Sequence, residues 1–437
     1  MAAPVMVSQL GHTLVQTADS VIVGHFVGTV SLAAVALVNS IFIIPMVIGL
    51  GISYGITPLI AQNSSRNDFE ACGKLLSNSL FINMVAGVIL FACLFFGSLY
   101  VINHLHQSPQ VIQQAKPFLT LMGLSIIPML FFTTFKQFAE GLGFTRQAMV
   151  ISVIGNILNI CLGITLVKGL FGTTPMGIRG VGYATLIDRC LMGIVMAVYV
   201  FKSTNFSEYV KSFSLKNIAY AECKQILRIG TPIAMQYTFE LSAFSGAAIM
   251  IGSISLIQLA AHQVAISLAS MTYMVSSGIA AAATIKSGNY FGVSDHHGLR
   301  SSSISSYHIV IVFMCCTSLL FGFGSHLLPY IYTSDKAVIG FASQLLIIAA
   351  VFQLFDGTQV VGLGILRGMG DVNIPTIITF LAYWIIGLPV GYYFGLYLNL
   401  GVSGVWYGLT LGLAVSAGLM FLRFQYTSKK HQHKLAN

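Results

Sequence analysis

The chain has 437 residues, of which 56% are hydrophobic and only 8% are charged, and its mean hydropathy is +0.84. These values exclude a water-soluble globular protein and predict that lipid is the main solvent of the folded chain. The net charge of +9 does not indicate a nucleic-acid partner, because the basic residues fall mainly in short loops on one side of the predicted membrane segments. The seven cysteines include no C-x-x-C pair, so we expect neither disulfides nor a metal site from them.

Twelve apolar segments along the chain are each long enough to cross a bilayer core of about 30 Å as a helix. Such runs exclude an outer-membrane barrel, whose strands need only about 10 residues. The first segment lacks a basic flank and a cleavage site, so we interpret it as a structural helix and not as a signal peptide. The predicted fold class is an all-α polytopic membrane protein with transmembrane helices at residues 4–27, 32–61, 75–103, 116–139, 147–168, 179–201, 225–251, 256–286, 300–326, 337–365, 373–394 and 402–425.

The basic residues indicate how these helices are oriented in the membrane. If the N-terminus is inside, four basic residues face outward, namely Lys116, Lys168, Arg179 and Lys336, and Arg189 lies within a helix. The other sixteen face inward, namely Arg66, Lys74, Lys136, Arg146, Lys202, Lys211, Lys216, Lys224, Arg228, Lys286, Arg300, Arg367, Arg423, Lys429, Lys430 and Lys434. By the positive-inside rule, this asymmetry predicts that both termini are cytoplasmic.

The two halves of the chain are copies of one six-helix unit. Residues 32–68 resemble residues 259–295 at a constant offset, since 259 − 32 and 295 − 68 are both 227. The segment E-G-L-G at 140–143 matches R-G-M-G at 367–370 with the same offset. Because six is an even number, both copies insert with the same orientation and are expected to be related by a pseudo-twofold axis along the membrane normal.

This repeat predicts the domain organisation. An N-terminal six-helix bundle spans residues 1–201, and a basic cytoplasmic linker spans residues 202–224. A C-terminal six-helix bundle spans residues 225–425 and is followed by a cytoplasmic tail at 426–437. Parallel repeats of this kind are common in secondary transporters, which rock one bundle against the other around a central site.

Four acidic residues lie inside apolar helices and are the first candidates for a functional role: Asp19, Asp188, Glu240 and Asp356. An isolated charge in the membrane interior is unfavourable by several kcal/mol. Such residues therefore face a cavity, pair with a base, or bind a proton or a cation.

Asp19 lies on a helix with one polar face. The polar residues on this side of the helix are Ser8, Gln9, His12, Thr13, Gln16 and Ser20. A lipid-facing helix does not carry such a stripe, so the face forms either a hydrogen-bonded seam between helices or the wall of a cleft in which Asp19 is functional. His12 shares this face and is either a titrating group or a hydrogen-bonded packing residue.

Glu240 and Asp356 belong to the second half and are accompanied by the amides of Gln236 and Gln359. No basic residue is expected at the same depth to neutralise either carboxylate. Oxygen ligands suit a hard cation, and a carboxylate without a basic partner also accepts a proton. The pair is therefore a candidate site for Na⁺ or for an exchangeable proton, and the alternative is two separate protonated hydrogen-bond donors.

Asp188 is followed directly by Arg189, and adjacent helical residues point in directions about 100° apart, so the two need not pair with each other. A structural ion pair with a neighbouring helix and a role in binding substrate or protons both remain open, and the second is favoured if Asp188 faces Asp19. No H-E-x-x-H, G-x-S-x-G or P-loop motif is present. We therefore expect no enzyme activity and no cofactor, and an ion gradient as the energy source.

Four segments of the chain resemble the multidrug and toxin extrusion (MATE) family of transporters, and in particular its NorM-like bacterial branch. They are residues 4–24 with T-A-D-S-V-I-V-G, 230–244 with P-I-A-M-Q-Y-T-F-E-L-S-A-F, 259–265 with L-A-A-H-Q-V-A, and 352–371 with F-Q-L-F-D and L-R-G-M-G-D. The resemblance extends over nearly the whole chain. It implies a V-shaped pair of six-helix bundles in the bacterial inner membrane. It also implies that a monomer exports cationic, amphipathic drugs in exchange for Na⁺ or H⁺.

The resemblance assigns roles to residues of the first half. Asp19 matches the aspartate with which the family couples transport to an ion, beside a bend-forming proline that Pro4 would supply. Asn159 and Thr185 match polar neighbours of that aspartate. Gly163 departs from the pattern, because relatives often have a second asparagine there.

In the second half, Glu240 and Asp356 match an acidic pair that is implicated in cation binding in NorM-like members, which makes them candidate Na⁺ ligands. Phe352 departs from the pattern, because sodium-coupled relatives can have a tyrosine there. Asp188 does not belong to the family pattern, and with Gln236, Gln359 and His12 it is a candidate additional site residue.

Two other functions remain open. A flippase for a lipid-linked sugar would need a more basic cleft, whereas Arg189 is the only basic residue predicted within a helix interior. A non-transporting receptor or channel is disfavoured by the absence of a soluble sensory domain and by the unequal distribution of acidic residues between the two halves.

Overall fold

The structure, a computed structural model, describes residues 2–104, 108–170, 172, 174–216 and 218–436. Within these ranges the chain is almost entirely helical, contains no β-strand and has twelve long helices, which confirms the predicted fold class. The first six are α1 (Ala2–Phe26), α2 (Thr29–Ser65), α3 (Phe69–His104), α4 (Pro109–Gly141), α5 (Thr145–Lys168) and α6 (Ile178–Lys202). The second six are α7 (Tyr220–Ile254), α8 (Leu256–Gly292), α9 (His296–Gly324), α10 (Lys336–Gly368), α11 (Asn373–Tyr397) and α12 (Gly401–Ala436).

Two helices that the sequence predicts as continuous are interrupted. Their segments are Thr29–Ser53 and Ile56–Ser65 in α2, and Pro109–Leu124 and Ile126–Gly141 in α4. α11 is irregular as well, because it passes through two π-helical stretches, Leu381–Gly387 and Tyr393–Tyr397. Apolar residues continue through each irregularity, so hydropathy gives no sign of it.

α2 breaks where it passes very close to α7. Gly51 and Gly55 form a G-x-x-x-G pair, and a Cβ atom on Gly55 would lie only 2.7 Å from the backbone nitrogen of Gly230. A Cβ atom on Gly230 would lie 2.6 Å from the carbonyl oxygen of Ile52. Glycine permits this approach because it has no side chain to separate the two backbones. The beginning of α7 is therefore fixed to the first half of the chain.

The segment that connects α6 to α7 packs on α3. Ser77 Oγ accepts a hydrogen bond from the backbone of Ser214, and Asn78 Oδ1 accepts one from the backbone of Ala219, both at 2.9 Å. Phe206 is fully buried among three aromatic rings, those of Phe138, Phe144 and Tyr199. These contacts make the described part of this segment a packed component of the first half.

The structure divides into two compact units in the middle of α7. The first unit extends from Ala3 to Ala234, and the second begins at Met235. Each unit has its own apolar core, and each core draws on all six of its helices. The predicted bundle limits at residues 201 and 225 remain predictions.

The two units repeat local details of the backbone. Asp68 caps α3 by accepting a backbone hydrogen bond of 2.9 Å, and Asp295 caps α9 with a bond of the same length. The residue before each cap has a positive φ, 59° at Asn67 and 57° at Ser294, which is uncommon for residues other than glycine. The two copies therefore share the conformation of individual turns as well as the order of their helices.

Ten of the helices in the described chain are long and apolar enough to cross a membrane. α1 and α7 are not among these ten, although they begin the two halves. Both carry polar side chains along their length, including Asp19 in α1 and Glu240 in α7. The two helices with the weakest membrane signal therefore carry two of the four candidate acidic residues.

Candidate functional site

The first unit encloses a small polar cavity between α1, α2, α4, α5 and α6. Its volume is about 30 Å³, which is room for one or two water molecules or a monovalent cation. The polar side chains that line it are His12, Gln16, Asp19, Asn39, Asn156, Asn159, Thr185, Asp188 and Arg189. Apolar side chains complete the wall: Val15, Val35, Phe118, Met122 and Met192.

Several oxygen atoms in this lining are buried without a hydrogen-bond donor. Asp19 and Asp188 are 9% and 3% exposed, and Oδ1 of each has no hydrogen-bond partner in the described structure. Oδ1 of Asn159 also has none, while its Nδ2 donates to Thr185 Oγ1 at 3.4 Å. An unsatisfied buried polar atom is unfavourable by about 1–3 kcal/mol, and a charged one by more. The lining therefore suits a proton or a small cation.

Arg189 brings a positive charge to the same cavity. Its Nη1 donates to Ser125 Oγ at 2.6 Å, and its guanidinium lies 5.5 Å from the centre of the Phe42 ring. It interacts electrostatically with both Asp19 and Asp188. Ser125 lies at the interruption in α4, so this break helps to position the arginine.

The structure brings together five of the residues that the sequence predicts for this half: His12, Asp19, Asn159, Thr185 and Asp188. Asp188 faces the same cavity as Asp19, which is the condition under which the sequence favours a binding role for it. The polar face of α1 lines this cavity through His12, Gln16 and Asp19.

The resemblance singles out two other positions in this half, Pro4 and Gly163. Pro4 is not beside Asp19, because a separation of 15 positions corresponds to about 22 Å along the helix. Gly163 packs near α1, where a Cβ atom would lie 3.5 Å from Ile22. Asn156 also lines the cavity and was not predicted, although it precedes Asn159 by three residues, which is helical spacing.

The second unit contains a separate polar cluster formed by α7, α8, α10 and α11. Glu240 is half-buried, Asp356 is buried, and the two lie within electrostatic range of each other. The hydroxyl groups of Tyr273 and Tyr383 lie close enough to Glu240 and Asp356 to interact electrostatically with both carboxylates. Tyr383 donates a hydrogen bond of 2.9 Å to Gln359 Oε1. Neither tyrosine was predicted as a site residue from the sequence.

One expectation for this cluster is wrong, because a basic residue does lie near Glu240. Arg367 is in the last turn of α10, which continues past its predicted end, and it interacts electrostatically with Glu240. Its guanidinium donates to Gln236 Oε1 at 2.9 Å and to the Tyr237 hydroxyl at 3.1 Å. Gln236 Nε2 in turn donates to Thr376 Oγ1 at 2.9 Å, so this glutamine holds helices together.

Two other histidines that the structure describes, His262 and His308, lie outside both clusters. Nδ1 of the buried His262 accepts a hydrogen bond of 3.1 Å from Trp406 Nε1, which is a packing role. His308 is exposed on α9. Phe352 packs against the rings of Phe244 and Trp406. Position 352, where sodium-coupled relatives can have a tyrosine, therefore belongs to the apolar core of this protein.

Neither cluster resembles a transition-metal site. Within the described ranges, no group of three or more His, Cys, Asp or Glu side chains is arranged to hold a metal ion. The first cluster instead combines carboxylate, amide and hydroxyl oxygens, which are the ligands of hard cations and the acceptors of protons. Such a set of oxygen atoms is suited to binding a small positive charge in the membrane interior.

Twelve long helices in two repeated sets, ten of them apolar enough to cross a membrane, with buried charged clusters in both halves of the described chain, are the architecture of a polytopic membrane transporter. The MatE family model matches residues 4–165 and again residues 232–393, and 232 − 4 and 393 − 165 are both 228. The chain therefore belongs to the MatE family of transporters, and the double match agrees with the internal repeat.

Relatives of the chain carry names from the same family. The chain is 30% identical over 434 residues to "Probable multidrug resistance protein NorM" of Xanthomonas campestris pv. campestris, covering 98% of this chain and 93% of the relative. It is 30% identical over 435 residues to "Multidrug resistance protein MdtK" of Photorhabdus laumondii subsp. laumondii, covering 98% and 95%. A solved structure, "Crystal structure of MATE in the bent conformation", has a TM-score of 0.89 at 21% identity, covering 100% of this chain and 96% of that one.

Proposed function

We propose that this protein is a secondary active multidrug exporter of the bacterial inner membrane, which moves cationic amphipathic compounds outward in exchange for Na⁺ or H⁺. The observation that carries the proposal is the cavity of the first unit, in which Asp19 and Asp188 each present a buried carboxylate oxygen without a donor. A cation or proton bound there satisfies these oxygens, and its release leaves them unsatisfied again. The polarity of the cavity therefore changes each time the cation or proton binds or leaves.

Asp19 and Asp188, with Asn159 and Thr185, are the residues that would hold the coupling ion in the first unit. Carboxylate, amide and hydroxyl oxygens accept either a proton or Na⁺, so both ions fit this donor set. Glu240 and Asp356 form the acidic cluster of the second unit, which is suited to the positive charge of a drug or to a second ion.

The balance of charge supports cationic cargo over a lipid-linked sugar, which is the second candidate. In the first cavity two carboxylates accompany Arg189, and in the second cluster Glu240 and Asp356 accompany Arg367. A flippase for an anionic lipid carrier needs an excess of basic groups. The names of the relatives, which are multidrug resistance proteins, favour the same choice.

We expect purified protein in liposomes to expel ethidium when an inward gradient of Na⁺ or of H⁺ is imposed, and we expect Asp19→Asn to lower this rate at least tenfold. Glu240→Gln and Asp356→Asn should each lower it as well, because each removes a charge that compensates a cation in the membrane. The measurement is ethidium fluorescence under each gradient in turn, which also identifies the coupling ion.

Glu208→Gln is the matched control, because Glu208 is exposed and pairs with Lys211 on the surface of the protein. This variant should transport at the wild-type rate. Rates equal to wild type in all three site variants would contradict the site, and a wild-type protein that moves ethidium under neither gradient would contradict ion-driven export.

A further inference from the structure

Arg189 is an unusual member of the cavity in the first unit. It is only 6% exposed, yet no carboxylate of the described residues lies within ion-pairing distance of it. Neutral groups hold it instead, since it donates to Ser125 Oγ at 2.6 Å and stacks over the ring of Phe42. The guanidinium is therefore fixed to α2 and α4 and acts on the carboxylates through space.

The net charge of the cavity follows from three of its ionisable side chains. Asp19 and Asp188 contribute two negative charges when both are ionised, and Arg189 contributes one positive charge. The ionised cluster thus carries a single net negative charge. One monovalent cation neutralises it, and a second one would leave an uncompensated positive charge in the membrane interior.

We propose that Arg189 is a fixed internal counter-charge that limits the cavity of the first unit to one exchangeable monovalent cation, with Asp188 as the carboxylate that it compensates. The proposal rests on the proposed function, because it specifies how many coupling ions the same cavity exchanges. Arg189 is a positioning residue, since it sets the charge of the site without being the group that binds the ion.

Other charged groups near the cavity do not alter this balance. Lys136 on α4 interacts with His12, but it is compensated by Glu140 at 3.9 Å. His12 on α1 is the remaining titratable group in the lining, and it is present in every variant compared below. The comparison of variants therefore isolates the charges of Asp188 and Arg189.

Three variants change the net charge of the ionised cluster in a defined way. R189Q raises it to two negative charges, D188N reduces it to zero, and the double variant D188N/R189Q restores one negative charge. We expect D188N to lose ion-driven ethidium export at least tenfold. The double variant should recover part of it, because the net charge returns to one negative although the Asp188 carboxylate is lost. R189K keeps the positive charge and should exchange the same number of cations per cycle as the wild type.

The decisive measurement is the response of ethidium export to membrane potential in liposomes. If R189Q exchanges one more cation per cycle, the charge moved per cycle differs from the wild type by one. The quantity compared is the steady-state ratio of ethidium concentrations on the two sides of the membrane. When a potential of about 59 mV is applied, this ratio should change by a factor about ten times larger in R189Q than in the wild type. D188N/R189Q should match the wild type. An unchanged response in R189Q, or a double variant that behaves like R189Q, would overturn the proposal.

A binding measurement separates this inference from the proposed function. Purified protein in detergent is brought from pH 9 to pH 7, and the protons taken up are counted without any drug present. R189Q should take up more protons than the wild type, and D188N/R189Q should match the wild type. R179Q is the matched control, because Arg179 lies on the same helix but is exposed. Equal uptake by R189Q and the wild type contradicts the counter-charge, whether or not the protein transports ethidium.

Discussion

Lys136 and Glu140 form a second buried charged group in the first unit, on the last two turns of α4. Lys136 Nζ lies 3.9 Å from Glu140 Oε1 and donates to Ser8 Oγ of α1 at 2.9 Å. Glu140 Oε2 accepts a hydrogen bond of 3.1 Å from Gln137, whose Oε1 accepts one of 2.6 Å from Thr57. The network joins α1, α2 and α4.

Replacing Lys136 by methionine should lower the stability of the protein, because it leaves the buried carboxylate of Glu140 without its counter-charge. Loss of one partner of a buried ion pair is unfavourable by about 3 kcal/mol. Because Lys136 and Glu140 are 3.9 Å apart, we expect the loss of unfolding free energy to be at the lower end of the range for buried ion pairs. The measurement is the midpoint of thermal unfolding in detergent, followed by circular dichroism.

The double variant Lys136→Met/Glu140→Gln should recover most of the loss, since it removes both charges and keeps an acceptor for Gln137. Lys74→Met is the control, because Lys74 forms an exposed pair with Glu70 and its loss should leave the midpoint unchanged. A double variant that is less stable than Lys136→Met would show that the ion pair is not the relevant interaction.

The sequence allows some site residues to be predicted and not others, for reasons visible at single positions. Asp19 was identifiable because its helix carries polar residues on one face. The direction of Asp188 was not, since a helix of known limits can still be rotated either way about its axis. Arg367 was misplaced because one additional helical turn carries it from a loop into contact with α7.

At the scale of the elements, the two copies share the residues that shape the backbone. Thr57 of α2 donates to the Gln137 side chain, and its counterpart Thr284 of α8 donates to the carbonyl oxygen of Gly364 at 2.8 Å. Position 364 is the counterpart of position 137 at the offset of 227. The contact between α2 and α4 in the first copy is therefore preserved between α8 and α10 in the second, although the hydrogen-bonding groups differ. The buried acidic residues, in contrast, have no acidic counterparts in the other copy.

Glycines set the distance between α11 and α12. A Cβ atom on Gly408 would lie 2.6 Å from the carbonyl oxygen of Gly387 and also too close to the backbone of Gly391. A Cβ atom on Gly412 would lie 2.7 Å from the carbonyl oxygen of Ala382. Three of these residues, Gly387, Gly391 and Ala382, lie in or beside the first π-helical stretch of α11. The irregular helix and the close packing thus occur together.

Gly408→Ala should destabilise the second unit, because its methyl group meets backbone atoms that cannot move aside as a side chain can. Overpacking of this kind is unfavourable by about 1–3 kcal/mol. The midpoint of thermal unfolding in detergent is the measurement, and we expect it to fall.

Gly418→Ala is a control on the same helix, because a Cβ atom at Gly418 has no atom within 4 Å. It should leave the midpoint unchanged or raise it, since alanine favours helix over glycine by up to about 1 kcal/mol. Equal effects of the two substitutions would indicate helix propensity as the cause and would rule out close packing of α11 against α12.

At the scale of the whole molecule, lipid makes most of the fold predictable from composition. Backbone groups in the hydrocarbon region must be paired within the segment, so long apolar runs become helices. Large apolar side chains accordingly point outward, such as Ile154, Ile194 and Phe323, which are 61%, 56% and 87% exposed. The breaks in α2 and α4 could not be predicted in this way, because they depend on which helix lies alongside.

The orientation of the molecule in the membrane is a prediction that the distribution of basic residues supports. With twelve helices, the two termini lie on the same side, and sixteen of the basic residues fall on that side against four on the other. Fusion of a fluorescent protein after the last residue should give fluorescent cells. Alkaline phosphatase at the same place should be inactive, because it needs the disulfides that form only outside the cytoplasm. The same enzyme inserted after Ser334, between α9 and α10, should be active, and the opposite pattern would reverse the predicted topology.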